Sequence, residues 1–471
     1  MQKRHDSAIS RRQLLKSGLS AWAGITLVPR HVLGGQGYTA PSDKLNIAMI
    51  GTGGQGMRNL KSILPFEDVQ VIALADVTEK ADYSQWYFKD PGGREPGLQL
   101  ITTHDQQNKS KHTPRCKGFV DFRDMLDQVK EIDAVIISIP DHTHYVAAIA
   151  CMQRGKHVYL EKPLARTLYE TRKLVEMADQ SRVITQMGIQ GHAGEGLRLT
   201  AEWLWDGAIG QVREIHAWSS SASRSGCLEG QPQGHPPVPR GLDWRLWLGP
   251  AEYRPYHPAY TPVRWRDFWD FGTGKIGDMG CHNMDPAFFA MDLRHPEWIE
   301  ARSAWGDKDK RPFASIVTYH FKATETRDSL DLTWYSGLTP PRPKELEPGR
   351  QLGERDNGIL FIGDKGKMVC GGWAGSPRLI PEKHMQNYSL PRKTLPRVEG
   401  PHREWINGCK SGQKTGADFS YSGPLTQLVL LGVMAIRLEE RIYWDADTMT
   451  IVNHPEVESW IRPDYHNGWT L

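Results

Sequence analysis

Eleven residues, Asn46-Ile-Ala-Met-Ile-Gly-Thr-Gly-Gly-Gln-Gly56, constrain this chain more than any other segment. The apolar run Ile47–Ile50 has the length and β-branched content of a strand buried in a parallel sheet. Gly51, Gly53 and Gly56 then spell G-x-G-x-x-G and open into Met57–Leu60, which reads as a first helical turn. The first glycine permits a tight turn, the second lets a pyrophosphate approach the backbone, and the third allows close helix–strand packing. Phosphates at that helix N-terminus would meet free N–H groups and the positive end of the macrodipole. Gly54 and Gln55 belong to the same loop. A second run, Val71–Ala75, ends in Asp76, about 20 residues beyond Gly56, where an acid accepts hydrogen bonds from an adenosine ribose. A carboxylate repels a 2′-phosphate, so the pattern favours NAD over NADP.

A chain of 471 residues with 39% hydrophobic content is expected to form about two domains. Its net charge of +3, with no lysine/arginine block, gives no nucleic-acid surface. The cysteines (Cys116, Cys151, Cys227, Cys281, Cys370 and Cys409) show no zinc-ligand spacing and read as mostly free thiols, although an exported protein could oxidise one pair. The pair His142-x-His144, with no further clustered ligand, does not make a metal site. Ser10-Arg11-Arg12-Gln13-Leu14-Leu15-Lys16 matches the twin-arginine export pattern, and the apolar run Leu19–Val28 follows it. That run is too short to cross ~30 Å of hydrocarbon. Residues 1–38 are therefore expected to be an export signal and linker, with no stable membrane span and a periplasmic destination. An exported dinucleotide enzyme has no cytoplasmic NAD pool to draw on, so it should hold its cofactor and restore its redox state at each turnover.

From residue 44 to 188, apolar runs alternate with helix-like stretches in the rhythm of a parallel sheet: Ile47–Ile50, Val71–Ala75, Ala134–Ile139, Val158–Leu160 and Val183–Met187. Residues 83–116 are polar and rich in Pro-Gly pairs, and read as a long insertion loop. From 189 to 471 the chain is richer in β-like segments, including Val212–Trp218, Ser315–Phe321, Leu330–Trp334, Ile359–Ile362 and Lys367–Cys370. Helices are expected at His402–Lys410 and Leu425–Ile436.

Two further segments carry chemistry. Pro140-Asp141-His142-Thr143-His144 follows the third apolar run, and Glu161-Lys162-Pro163 follows the fourth, at the strand ends where open α/β sheets bind ligands. Later comes Gly274-Lys-Ile-Gly-Asp-Met-Gly-Cys-His-Asn-Met-Asp285. Together with Gly51–Gly56, these motifs resemble the Gfo/Idh/MocA family, that of glucose–fructose oxidoreductase and inositol dehydrogenase, over residues 44 to 440.

The resemblance implies an α/β protein: an N-terminal Rossmann domain, then an α+β domain with a large open, mostly antiparallel sheet used for homodimer or homotetramer contacts. It implies hydride transfer from a secondary hydroxyl of a sugar, polyol or glycoside. Lys162 would bond the reacting hydroxyl and the nicotinamide ribose, while Asp278 and His282 would supply substrate orientation and the general base. Pro140, Asp141, His144 and Glu161 would line the cofactor; Asp141 departs from the Asn of many relatives. Histidine suits the base, because it titrates near neutral pH. A lysine cation suits the oxygen that becomes an alkoxide. Trp265 and Trp269, with His192 and Tyr260, are expected to bind the substrate, and Tyr256 and His257 to line the same pocket, since aromatic faces with neighbouring carboxylates and arginine suit sugars. The same machinery also serves glycoside cleavage by oxidation, elimination, hydration and reduction; a third possibility is an inactive sugar-binding protein.

Overall fold

The strands form where the apolar runs predict them. In the computed structural model, which describes residues 43–107, 115–221 and 232–470, the first sheet is entirely parallel with order β3-β2-β1-β4-β5-β6. Its strands are β1 (Leu45–Ile50), β2 (Val69–Ala75), β3 (Lys117–Phe119), β4 (Ala134–Ile137), β5 (His157–Leu160) and β6 (Thr185–Met187). Strand order reverses between β1 and β4, which leaves a crevice at their carboxyl ends. The export motif and Cys227 lie outside the described residues; the other five cysteines are free thiols.

The stretch expected to be a loop over residues 83–116 contains a helix, Arg94–Gln107. Its Pro96 and Gly97 read as breakers, yet Pro96 sits in the first turn, where a missing N–H costs nothing. Gly97 presses on the Thr52 and Leu74 side chains, where a Cβ would come within 3.1 Å of each. Close packing, not flexibility, explains that glycine.

The second sheet has order β13-β12-β11-β7-β10-β9-β8 and is antiparallel except for the β7–β10 pair. It comprises β7 (Val212–Ser219), β8 (Trp298–Ala304), β9 (Ala314–Phe321), β10 (Leu330–Ser336), β11 (Asn357–Gly363), β12 (Lys367–Gly371) and β13 (Arg378–Ile380). One face packs on helices through Ile215, Val317, Leu332, Trp334 and Phe361. On the other, Leu346 and Leu352 cover Trp218, Tyr335 and Leu360.

Helix Phe419–Leu438, capped by Asp418, is apolar and long enough to cross a membrane by composition alone, but 78% of its most apolar window is buried in this fold. Helix Pro401–Ser411 returns to the first sheet, where Trp405 and Ile406 join Tyr159 and Ile184 in one core. From Leu45 onward the described residues form one compact unit.

Candidate active site

A cavity of about 820 Å³ opens at the carboxyl ends of β1, β2, β4 and β5. Its floor is the glycine loop. Gly51 adopts φ +85°, and a Cβ there would stand 2.4 Å from the Ser138 carbonyl oxygen, so only glycine makes this turn. A Cβ on Gly53 would lie 2.2 Å from the Tyr83 hydroxyl. Gly54 and Gln55 line the cavity, whereas Gly56 packs under Gly51 as the helix Gln55–Ile63 begins.

Asp76, at the end of β2, also lines the cavity. Its carboxylate accepts from the Thr52 and Thr78 backbone N–H groups, each at 2.8 Å, which fixes its orientation. The glycine turn, the acid and the cavity volume together fit a dinucleotide.

Residues 81–93 cover this loop. Ala81 and Gly92 bridge the segment's ends, Tyr83 lies on Gly53, and the Phe88 ring lies over Gly54. The Arg58 guanidinium holds the Tyr87 and Phe88 rings at 4.9 and 5.0 Å, and Lys61 pairs with Asp90 at 2.7 Å. The strap passes beside Asp278 as well, whose charge acts on the Tyr87 phenol.

Lys162 follows β5 and donates to the Asp278 carboxylate at 2.9 Å and to the Asp278 backbone carbonyl. Arg266 Nε meets the same carboxylate oxygen at 3.3 Å. Burial alone would push the Asp278 carboxyl up, but Lys162, Arg266 and Lys275 outweigh it and hold the group well below the usual carboxylate range. Burial would likewise depress Lys162; Asp278 reverses this and keeps the ammonium cationic. Asp278 is therefore first of all the anchor that aims Lys162.

Asp278 sits in a π-helical turn, Ile276–Gly280, that runs into the helix Cys281–Met291. The extra residue per turn is a recurrent feature of functional helices. It brings both Asp278 and His282 to the cavity wall. His282 is 4% exposed, and its Nδ1 is buried with no hydrogen-bond partner among the described residues. Burial, reinforced by the nearby Lys162 charge, keeps its pKa well below the ordinary histidine value. The imidazole is thus neutral near pH 7, the form that can accept a proton.

The remaining sequence-predicted residues divide. Pro140, Asp141, His144, Glu161 and Trp265 line the cavity. Asp141 spends one carboxylate oxygen on Thr273, at 2.7 Å from its hydroxyl. Glu161 accepts from Asn59 at 2.9 Å. Both ring nitrogens of His144 face backbone carbonyls, of Pro163 and Ile139, and those of His142 face Trp247 and Phe271 carbonyls. Both rings thereby tie the helix Asp141–Gln153 to its surroundings.

Trp269, His192, Tyr256, His257 and Tyr260 do not line the cavity among the described residues, and these five expectations are corrected. The 3₁₀ turn Arg264–Asp267 ends in the extended Phe268, which sends Trp269 away toward Arg166 and Arg437. His192 pairs with Asp285 at 3.0 Å beneath the site. Tyr260 and Tyr256 belong to an aromatic cluster with Trp244, and His257 packs against Tyr260.

Sequence reasoning missed Tyr83, Tyr87, Trp373 and the role of Arg266. Arg266 stood in plain view between two tryptophans, but nothing in its local sequence told it apart from Arg264 as the partner of Asp278. Trp373 lies in Gly371-Gly372-Trp373-Ala374-Gly375, where a bulky residue amid glycines was the available clue.

Family comparison agrees with this geometry. Residues 45–189 match the model "Oxidoreductase family, NAD-binding Rossmann fold", and residues 225–323 match "Oxidoreductase family, C-terminal alpha/beta domain", both of Gfo/Idh/MocA. The chain belongs to the Gfo/Idh/MocA oxidoreductase family, with an NAD-binding Rossmann domain. Among relatives, it is 27% identical over 219 residues to a glycosyl hydrolase family 109 protein of Shewanella pealeana, covering 43% of this chain and 44% of that protein. It is 30% identical over 189 residues to levoglucosan dehydrogenase of Pseudarthrobacter phenanthrenivorans, covering 39% and 40%. The matched part thus spans less than half the length of these curated relatives. Among solved structures, the WlbA dehydrogenase of Bordetella pertussis, in complex with NADH and UDP-GlcNAcA, superimposes with a TM-score of 0.55 at 16% identity, covering 86% of this chain and 100% of that one. At that identity the likeness is one of fold.

Proposed function

We propose that this protein is an exported NAD-dependent oxidoreductase that removes hydride from a secondary hydroxyl of a sugar, polyol or glycoside, keeps its cofactor between turnovers and passes the hydride on to a second, carbonyl substrate. The observation that carries the reading is the meeting of cationic Lys162, its anchor Asp278 and neutral His282 on the wall of one cavity whose floor is the glycine loop. A nicotinamide cofactor, when bound, supplies the hydride acceptor. His282 takes the hydroxyl proton, and Lys162 stabilises the negative charge gathering on that oxygen in a partly dry site. Asp76 selects NAD by its charge. The twin-arginine motif supports export.

A second reading uses the same residues for net hydrolysis. A carbonyl formed transiently on the sugar ring acidifies the adjacent C–H. A base removes that proton, the aglycone leaves, water adds and the carbonyl is reduced again. The relatives named as glycosyl hydrolase family 109 proteins support it, and so does the strap over the glycine loop, which suits a cofactor that is never exchanged.

One experiment separates the two. Purified protein is incubated with p-nitrophenyl hexopyranosides without added nucleotide. Released nitrophenol supports hydrolysis; accumulation of reduced nicotinamide without release supports the dehydrogenase. Neither signal, from protein shown by mass spectrometry to carry NAD, would refute both.

A further inference from the structure

We propose that Trp373 is the stacking platform of a pyranose subsite, and that the substrate is accordingly a sugar in ring form, not an open-chain polyol. The inference deepens the reading above and rests on it.

Trp373 lies in the short turn Gly372–Ala374 between β12 and β13, with φ +55° and ψ +33°, and Ala374 follows at φ +60°. Two consecutive non-glycine residues in the left-handed region are strained. Three neighbours enforce this geometry. A Cβ on Gly191 would come within 2.4 Å of the Trp373 carbonyl oxygen, so the two backbones touch. Gly196 meets Ala374 in the same way. The Trp373 N–H donates to the Asn283 side-chain oxygen at 3.4 Å. Asn283 in turn donates to the Trp218 carbonyl at 2.7 Å and to Asn357 Oδ1 at 3.1 Å. The residue next to His282 in sequence thus fastens the turn that carries Trp373.

The strain delivers a ring to the site. The indole is 43% exposed, yet it lines the cavity and its centroid stands 5.7 Å from the His282 ring, at 52°. The other cavity tryptophans are engaged. The Arg266 guanidinium covers Trp265 at 4.1 Å, Trp247 stacks on Trp244, and Trp469 stacks on Phe122. A large aromatic face left open beside the proposed base suits the C–H face of a pyranose, while Asn357 and Gln190 on the same wall suit its hydroxyls. An open-chain polyol has no rigid apolar face to offer.

The test uses Trp373→Gly and Trp373→Phe in the full chain carrying its nucleotide, assayed on p-nitrophenyl and methyl hexopyranosides and on sorbitol. Glycine accepts φ +55° without strain, so Trp373→Gly is expected to keep or raise Tm. The same variant is expected to raise KM for the pyranoside about tenfold, with kcat changed less than about threefold and NAD content unchanged. Trp373→Phe should recover most of the affinity, and sorbitol should not be turned over by the native protein. A lower Tm together with an unchanged KM in Trp373→Gly would make Trp373 structural and overturn the proposal. So would turnover of sorbitol at a rate comparable to the pyranosides. His282→Ala is run alongside: if it is inactive while Trp373→Gly has native KM, only the platform fails. If His282→Ala is as active as the native protein, the functional reading fails with it.

Discussion

Replacing Lys162 by methionine tests the site most directly, because the side chain keeps roughly its length and loses only its charge and donors. Two costs can be separated. In the folded protein the change leaves the Asp278 carboxylate without its 2.9 Å partner. Removing one member of a fully buried pair costs roughly 3–5 kcal/mol. Here the Lys162 and Asp278 side chains are 12% and 24% exposed and Arg266 remains at 3.3 Å, so a loss of about 1–2 kcal/mol is expected, a few degrees in Tm at most. In the reaction, the lost donor faces the oxygen on which charge develops, which costs about 3–4 kcal/mol, or roughly 10²–10³-fold in turnover. A second consequence concerns His282. The Lys162 charge helps hold its pKa down, so the acid limb of the residual pH–rate profile should move to higher pH in Lys162→Met. Nucleotide retained after purification, Tm and the pH–rate profile on p-nitrophenyl hexopyranosides are the measurements. Turnover within threefold of native, in protein that holds its NAD, would refute the role of Lys162. An acid limb that stays put would refute the electrostatic coupling alone.

Gly53→Ala places a Cβ 2.2 Å from the Tyr83 hydroxyl, so it should lift the strap and strip nucleotide from a folded protein; Tyr83→Ala on that background should restore part of the binding, and two strictly additive losses would count against the contact. His282→Ala should lower the chemical step by ~10²–10⁴-fold with nucleotide content intact, and native single-turnover rates would end its assignment as base. His142 predicts a pH effect on stability. Burial pushes its pKa down to about 3, against about 6.5 in the unfolded chain, so the unfolded state binds the extra proton and the folded state loses stability as pH falls below about 6.5. The stability advantage of native protein over His142→Gln should therefore shrink by about 2 kcal/mol between pH 6.5 and 5; a constant gap in thermal unfolding would contradict the burial argument.

What could be read in the sequence was local. Gly51 to Gly56 and Asp76 announce themselves because a tight turn, a buried strand and a strand-end acid are neighbours in the chain. Lys162 and Asp278 gave no such signal of meeting: 116 positions separate them, and only the family resemblance joined them. Trp269 was assigned to the substrate with Trp265 because both rings lie among charged residues that suit a sugar, but a 3₁₀ turn followed by extended backbone separates them and only Trp265 lines the cavity. Tyr83 and Trp373 were hidden for a related reason. Each is an aromatic among glycines and polar residues, without periodicity, and the contact that brings it to the site, Gly53 for Tyr83 and the His282 ring for Trp373, comes from a distant segment. The helix Arg94–Gln107 was lost to its own Pro96 and Gly97, residues that ordinarily mark turns and here satisfy a first turn and a close approach.

The return of His402 and Trp469 to the cavity that begins at Gly51 bears on the order of events in biosynthesis. A nascent chain that has emerged only through β6 possesses the glycine loop, Asp76 and Lys162, but neither the Asp278 carboxylate that aims the lysine nor the lining that His402, beside Asn59 and Tyr159, and Trp469, on Phe122, supply. Closing such long loops is slow compared with forming the βα units. Lasting cofactor capture is accordingly expected late in folding. If the N-terminal motif acts as the export signal proposed above, export would follow closure of these segments on the nucleotide.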